Sequence, residues 1–287
     1  METSLLSSME YMILSNSPLV SVIIPSFNHE RYIEATLQSV ANQTYENIQL
    51  IVIDDTSSDE TVQLAARWLS EREERFSSSI LIKNRKNLGA DKTINKGILE
   101  ASGEYVAILN SDDLFMPTRL TQLVGALISS GSDVAFSKVV AIDDCGTMIS
   151  PHRLPKVLQG VFDEADRCAE NYPAIGFGFI EKNIAISTGN LVIRRNLFEK
   201  IGYFRCLKYI HDWDFILRSI LVSEPVYVPE ELYSYRIHNT NSFSELSDIA
   251  QIETEISLKY FRFLAGNSTI ENELAPLKCN WPGLVDY

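Results

Sequence analysis

Two pairs of adjacent carboxylates, Asp54-Asp55 and Asp112-Asp113, each close a short apolar run. Hard oxygen donors at neighbouring strand ends suit Mg2+ or Mn2+, which takes one or two protein carboxylates and leaves room for a diphosphate. A single such pair is as readily a turn or a helix cap; two pairs at adjacent strand ends favour the ligand. Successive strand residues point to opposite faces, so one Asp of each pair is expected to reach a ligand fully. A further carboxylate, Asp212, opens a segment whose Trp213, Ile216, Leu217 and Ile220 recur at helical spacing. By itself it reads as a helix N-cap. Arg236 stands two residues before His238, a combination that suits contact with phosphate or a metal.

Composition narrows the chemistry. A formal charge of −13 argues against a nucleic-acid binder, which would show a basic face. Any diphosphate site must then build its own positive charge, and a divalent cation is one way to do so. Cys145, Cys168, Cys206 and Cys279 are widely spread and form no C-x-x-C pair, as expected of thiols in a reducing compartment. No apolar run approaches the roughly 20 residues needed to cross a bilayer. The opening stretch carries Glu2 and Glu10 with no Lys or Arg, unlike the basic start of a signal peptide. A cytoplasmic protein is expected.

Alternating elements must hold these residues in place. Strand signals fall at residues 20–25, 49–53, 80–82 and 104–109, the second and fourth running into the carboxylate pairs. Between them Ile33, Leu37, Val40 and Ala41 make one helical face; Val62, Ala65, Ala66 and Leu69 make another. A third helix is expected over 94–100, and a fourth begins at Pro117 with Leu120, Val124 and Leu127 facing the core. This rhythm calls for a mainly parallel sheet covered by helices, with ligands bound outside the carboxyl ends of the strands. After residue 143 the pattern loosens. Loops are expected at 151–155 and 176–179, a strand at 190–193, and helices at 212–222 and 244–263.

Several ordered segments together resemble the family 2 glycosyltransferases of GT-A fold, a Rossmann-like nucleotide-diphospho-sugar transferase architecture. They are Val20-Ser21-Val22-Ile23-Ile24-Pro25-Ser26-Phe27-Asn28, Ile51-Val52-Ile53-Asp54-Asp55-Thr56-Ser57-Ser58-Asp59, Asn87-Leu88-Gly89, and Ala101-Ser102-Gly103-Glu104-Tyr105 leading into Asn110-Ser111-Asp112-Asp113. The resemblance runs from Leu19 to Ser242. It implies a catalytic domain over 19–243, with a nucleotide-sugar half (19–143) and an acceptor half (144–243), after an extension (1–18) and before a helical tail (244–287).

The same resemblance implies roles. Pro25, Phe27 and Asp55 would hold the base and ribose of the donor, Asp112 would approach the ribose, and Asp113 would coordinate Mn2+ or Mg2+. Gly89 and the Thr188-Gly189-Asn190 turn would border the donor, with Gly189 near its sugar. His238, with Arg236 and Ser242, would fold over the diphosphate or touch the metal. Asp212 would be the general base of an inverting displacement, His211 standing where the family usually has Glu. Asn110 takes the place of the first Asp of the D-x-D motif. Lys92 and Lys96 are further donor candidates, whereas Lys83, Arg85 and Lys86 read as a solvated loop. The implied partners are a nucleotide-sugar donor, with UDP as its nucleotide, and a glycan or lipid-linked acceptor of surface polysaccharide synthesis. Peripheral association with the inner membrane face follows from such an acceptor. A sugar nucleotidyltransferase would show a Gly-rich loop after the first strand, and a dehydrogenase G-x-G-x-x-G; Pro25-Ser26-Phe27-Asn28-His29 stands there instead. A non-catalytic nucleotide-sugar-binding protein is the remaining alternative.

Overall fold

A computed structural model of the chain describes residues 17–154, 156, 158–238 and 248–282. Most of the expected extension, Pro155, Ser242 and both ends of the helical tail lie outside the described residues. The first strand, β1 (Val20–Ser26), is buried along almost its whole length, as befits a strand covered on both faces. Its side chains divide with period two. Val20, Val22 and Ile24 join one core with Ile33, Leu37 and Val40 of α1 (Ile33–Ala41) and Ala65 and Trp68 of α2 (Thr61–Ser70). Ile23 points the other way, into a core with Ile51 and Ile53 of β2 (Ile48–Asp54) and Ile94 and Ile98 of α3 (Ala90–Glu100). α3 lies so close to β1 that a Cβ on Gly97 would sit 2.4 Å from Ile23 Cγ2.

The remaining elements are β3 (Ser78–Lys83), β4 (Tyr105–Ile108), β5 (Leu114–Phe115), α4 (Arg119–Ser130), β6 (Val134–Ile142), α5 (Glu164–Asn171), α6 (Gly178–Glu181), β7 (Val192–Arg194), α7 (Leu197–Ile201), α8 (His211–Ser219), β8 (Val226–Arg236) and α9 (Asp248–Asn267). All eight strands form one mixed sheet in the order β3-β2-β1-β4-β7-β6-β8-β5. The first half is parallel throughout, β3, β2, β1 and β4 pairing in one direction. β7 then runs antiparallel to both β4 and β6.

Three strands have no counterpart in the sequence expectations: β5, β6 and β8. The β5–β8 pairing sets Phe115 beside Tyr233 and Leu114 beside Ser234, which carries the end of β8 to Asp112-Asp113. Pro117 is not the first residue of α4. The chain turns first, with the Arg119 amide donating to the Met116 carbonyl, and Thr118 occupies the N-cap position. The expected loop at 176–179 is helical instead, Gly176 and Phe177 lying in a 3-10 turn and Gly178 and Phe179 in α6. No described helix is long and apolar enough to cross a membrane.

Candidate active site

The carboxyl ends of β1, β2 and β4 form a rim, and both carboxylate pairs lie on it. Two residues there hold positive φ without being glycine, Asn28 (φ 54) after β1 and Thr56 (φ 70) after β2. Such backbone gathers at sites where the surrounding contacts hold it. Here the Asn28 amide donates to Ser57 Oγ and the Ser58 amide donates to Asn28 Oδ1, so the two strand ends brace each other.

The Asp54 carboxylate is consumed locally, accepting from the Ser57 amide and hydroxyl. Asp55 reaches across to the 87–89 turn. Its oxygens accept from the Leu88 amide at 2.8 Å, the Gly89 amide at 2.9 Å and Asn84 Nδ2 at 2.8 Å. Asn84 in turn accepts from Lys96 Nζ, which ties that lysine to Asp55, while Lys92 is exposed. Gly89 carries φ 88, a backbone that favours glycine. Pro25 is half-buried and Phe27 is 46% exposed.

The second pair divides differently. Asp113 is buried and held on all sides: Tyr233 Oη donates to it at 2.5 Å, the Arg236 amide at 2.8 Å and Asn110 Nδ2 at 3.0 Å. Burial, and then the neighbouring Asp112 charge, push its carboxyl well above the usual range. Asp112 faces two imidazoles, His238 Nε2 at 2.9 Å and His29 Nε2 at 3.9 Å. Burial opposes its ionisation, but the His238 hydrogen bond and the two histidines outweigh that and hold Asp112 below the ordinary range. Two adjacent carboxyls are thus driven apart, one toward the charged form and one toward the neutral. His29 itself is lowered, chiefly by burial.

One ligand atom from each of His29, Asp112 and His238 can be chosen so that all lie within 4.8 Å of one another. Their donor set, one carboxylate and two imidazoles, fits a divalent cation that accepts nitrogen, as Mn2+ does, better than Mg2+ with its preference for oxygen. The sequence assigned the metal to Asp113 and His238. The structure sets His238 beside Asp112 and turns Asp113 toward β8. His29 had no place in the sequence assignment; its one signal is its position directly after Asn28 at the end of β1.

Aromatic packing fixes this corner. The Tyr32 and His238 rings stack at 5.2 Å, and the Arg236 guanidinium lies 4.8 Å from the Tyr32 ring centroid. Arg236 Nε also donates to the Asp112 carbonyl.

Asn110 has a structural reason to be an amide. Its Nδ2 donates both to Asp113 Oδ2 and to Ser187 Oγ at 2.9 Å, two bonds that a carboxylate could not donate. Ser187 begins the 187–190 turn, entered through Ile186 at φ 72, an outlier for a β-branched residue. Gly189 in that turn lies against Tyr233, whose hydroxyl would be 1.9 Å from an added Cβ. Thr188 Oγ1 lies 3.1 Å from His211 Nε2. One turn therefore links the end of β4 to the start of α8.

Asp212 stands in the first turn of α8, whose N-cap is Ile210 and which has no side-chain cap. Its carboxylate accepts from the Trp213 amide at 2.7 Å and from Asn183 Nδ2 at 3.0 Å. Burial raises its carboxyl above the usual value, against the opposing His211 charge. Asp214 is the other acid of this helix and is fully engaged, by Arg218 at 3.0 Å, Arg205 at 3.3 Å and the Ser257 hydroxyl. His211 Nδ1 is buried with no hydrogen-bond partner among the described residues.

The profile described as "Glycosyl transferase family 2" matches residues 21–202. The chain belongs to that family. It is 28% identical over 249 residues to an uncharacterized glycosyltransferase of Haemophilus influenzae, covering 86% of this chain and 73% of the relative. It is 27% identical over 249 residues to the Escherichia coli UDP-Glc:alpha-D-GlcNAc-diphosphoundecaprenol beta-1,3-glucosyltransferase WfaP, covering 84% of this chain and 88% of that protein. Among solved structures, S. aureus TarS 1-349 in complex with UDP-GlcNAc superposes with a TM-score of 0.66 at 19% identity, over 90% of this chain and 70% of that one. The mannosyltransferase PcManGT from Pyrobaculum calidifontis, with GDP-Man and Mn2+, gives a TM-score of 0.62 at 18% identity, over 85% and 64%. These superpositions establish the GT-A fold, and the family match makes the chain a glycosyltransferase.

Proposed function

We propose that this glycosyltransferase moves a sugar from a nucleoside diphosphate donor, with UDP as the nucleotide, to an acceptor hydroxyl with inversion. The observation that carries this reading is the 187–190 turn. Ser187 in it bonds Asn110, which holds Asp113 beside the Asp112–His238–His29 corner, and Thr188 in it meets His211, the neighbour of the buried Asp212 carboxyl. Phe27, Pro25 and the Asp55-braced turn at Gly89 border the base and ribose. Asp112 and His238, with His29 beside them, are the residues that would hold Mn2+ or a similar cation, which would neutralise charge on the diphosphate. Asp113 braces this corner from behind. Asp212 accepts the proton of the acceptor hydroxyl, and its raised pKa brings it nearer the working range of a general base. His211, tied to Thr188 through Nε2, sits beside that base.

Two names among the relatives and neighbours, the UDP-Glc of WfaP and the UDP-GlcNAc bound to TarS, support the choice of UDP. WfaP acts on a diphosphoundecaprenol acceptor, which supports a lipid-linked acceptor, work at the inner membrane face and a role in surface polysaccharide synthesis. The test is Asp212→Asn assayed with UDP-sugars and Mn2+. Transfer should fall on the order of 100-fold or more while donor affinity changes little. Near-normal turnover at saturating acceptor would remove Asp212 as the base.

A further inference from the structure

The long helix α9 carries an apolar stripe that nothing in the proposed reaction uses. Ile249, Ile252, Ile256, Tyr260 and Phe263 are 47, 57, 44, 36 and 59% exposed. At 3.6 residues per turn all five fall within a sector about 80° wide, running parallel to the helix axis. The helix is not loosely attached. Its inner row, Glu253, Ser257 and Phe261, is buried. Glu253 accepts from the Lys208 and Tyr209 amides, and Ser257 donates to Asp214. Arg205 lies 4.3 Å from the Tyr260 ring centroid and steadies the stripe from its side.

The stripe is symmetric about Ile256: its members stand seven and four residues before it and four and seven after. Reversing the helix reproduces the pattern. A two-fold axis at Ile256 would set Ile256 against itself, Ile252 against Tyr260 and Ile249 against Phe263. The charges beside the stripe follow the same logic. Asp248 and Glu255 precede Ile256, whereas Lys259 and Arg262 follow it. An antiparallel second copy would lay the acidic half of each helix along the basic half of the other.

We infer that α9 docks on α9 of a second copy of this chain, as an antiparallel, isologous helix pair. A lipid surface would call for an excess of Lys and Arg beside the stripe. Here two acids balance two bases in a chain of net charge −13. A 20-residue helix is about 30 Å long, so the contact belongs with interfaces below ~1,200 Å2 that assemble weakly and reversibly. The dimer therefore forms in the micromolar range and depends on concentration.

The test is sedimentation velocity of the 287-residue chain across a micromolar concentration series. The sedimenting mass should move from monomer to dimer. Ile256→Asp should stay monomeric throughout with an unchanged circular dichroism spectrum, since its side chain is exposed. Asp248→Arg should weaken the dimer roughly tenfold by opposing Arg262 of the second copy, and adding Arg262→Asp should restore it. A monomer at every concentration, or a dimer indifferent to Ile256→Asp, would overturn the inference. So would sedimentation with anionic vesicles that Ile256→Asp abolishes while the chain remains monomeric, because the stripe would then face lipid.

Discussion

Asp54-Asp55 and Asp112-Asp113 flank β1 on either side, at the ends of β2 and β4, and look alike in sequence. Their surroundings differ. In the first pair both carboxylates accept from the protein: Asp54 from Ser57, Asp55 from the 87–89 turn and Asn84. In the second pair only Asp113 is spent that way, on Tyr233, Arg236 and Asn110. Asp112 is left with two histidines, groups that are themselves metal donors. The first pair shapes the rim, and the second divides between a braced carboxyl and one that faces two imidazoles. A motif thus shows which residues are near a site, while the count of donors already aimed at each oxygen shows which one is still available.

Breaking the brace should have the largest effect on the fold. Asp113→Ala strands the Tyr233 hydroxyl and the Arg236 amide in a buried place, at about 1–3 kcal/mol for each unpaired group. Denaturant unfolding should show a loss of about 3 kcal/mol. A loss below about 0.5 kcal/mol would mean that Asp113 is not a brace. Gly189→Ala attacks the same corner from the other side. Its methyl would meet Tyr233 Oη, and overpacking of this kind costs about 1–3 kcal/mol. Because the turn also carries Thr188 to His211, transfer should fall along with stability; a variant that unfolds like the parent would deny the close approach.

Asp55→Ala should have the smallest effect. The Leu88 and Gly89 amides are only partly buried and can turn to water, so a loss of about 1 kcal/mol is expected. UDP affinity should fall with it, as the turn loosens. Unchanged UDP affinity in titration calorimetry would show that the 87–89 turn does not border the nucleotide.

Much of the first half is legible in the sequence, because buried parallel strands read as continuous apolar runs and end in polar residues. Val20 to Ile24 and Ile51 to Ile53 announce themselves in this way. The second half is less so. β8 carries Glu230 and Glu231 in its middle and lacks a clean apolar period, yet it supplies Tyr233 and Arg236 to the brace. The contacts that hold Asp113 reach across 120 or more residues, which no local spacing encodes. Asp212 shows the reverse case. Its residues alone favour a cap and the family resemblance implies a base, and the structure places Ile210 at the cap and Asp212 inside the first turn.

The central claim is that Asp112, with His238, is the cation ligand while Asp113 holds it in place. Titration of UDP in the presence and absence of Mn2+ tests this directly, on the parent chain, on Asp112→Asn and on Asp113→Asn. The account expects Mn2+ to strengthen UDP binding to the parent and chelation to reverse the gain. Asp112→Asn should lose most of that gain, on the order of tenfold or more, together with the stability its charge draws from the two histidines. Asp113→Asn should be less stable yet keep a clear Mn2+ response in the fraction that folds. A fully stable Asp113→Asn without any Mn2+ response, beside an Asp112→Asn that responds like the parent, would contradict it.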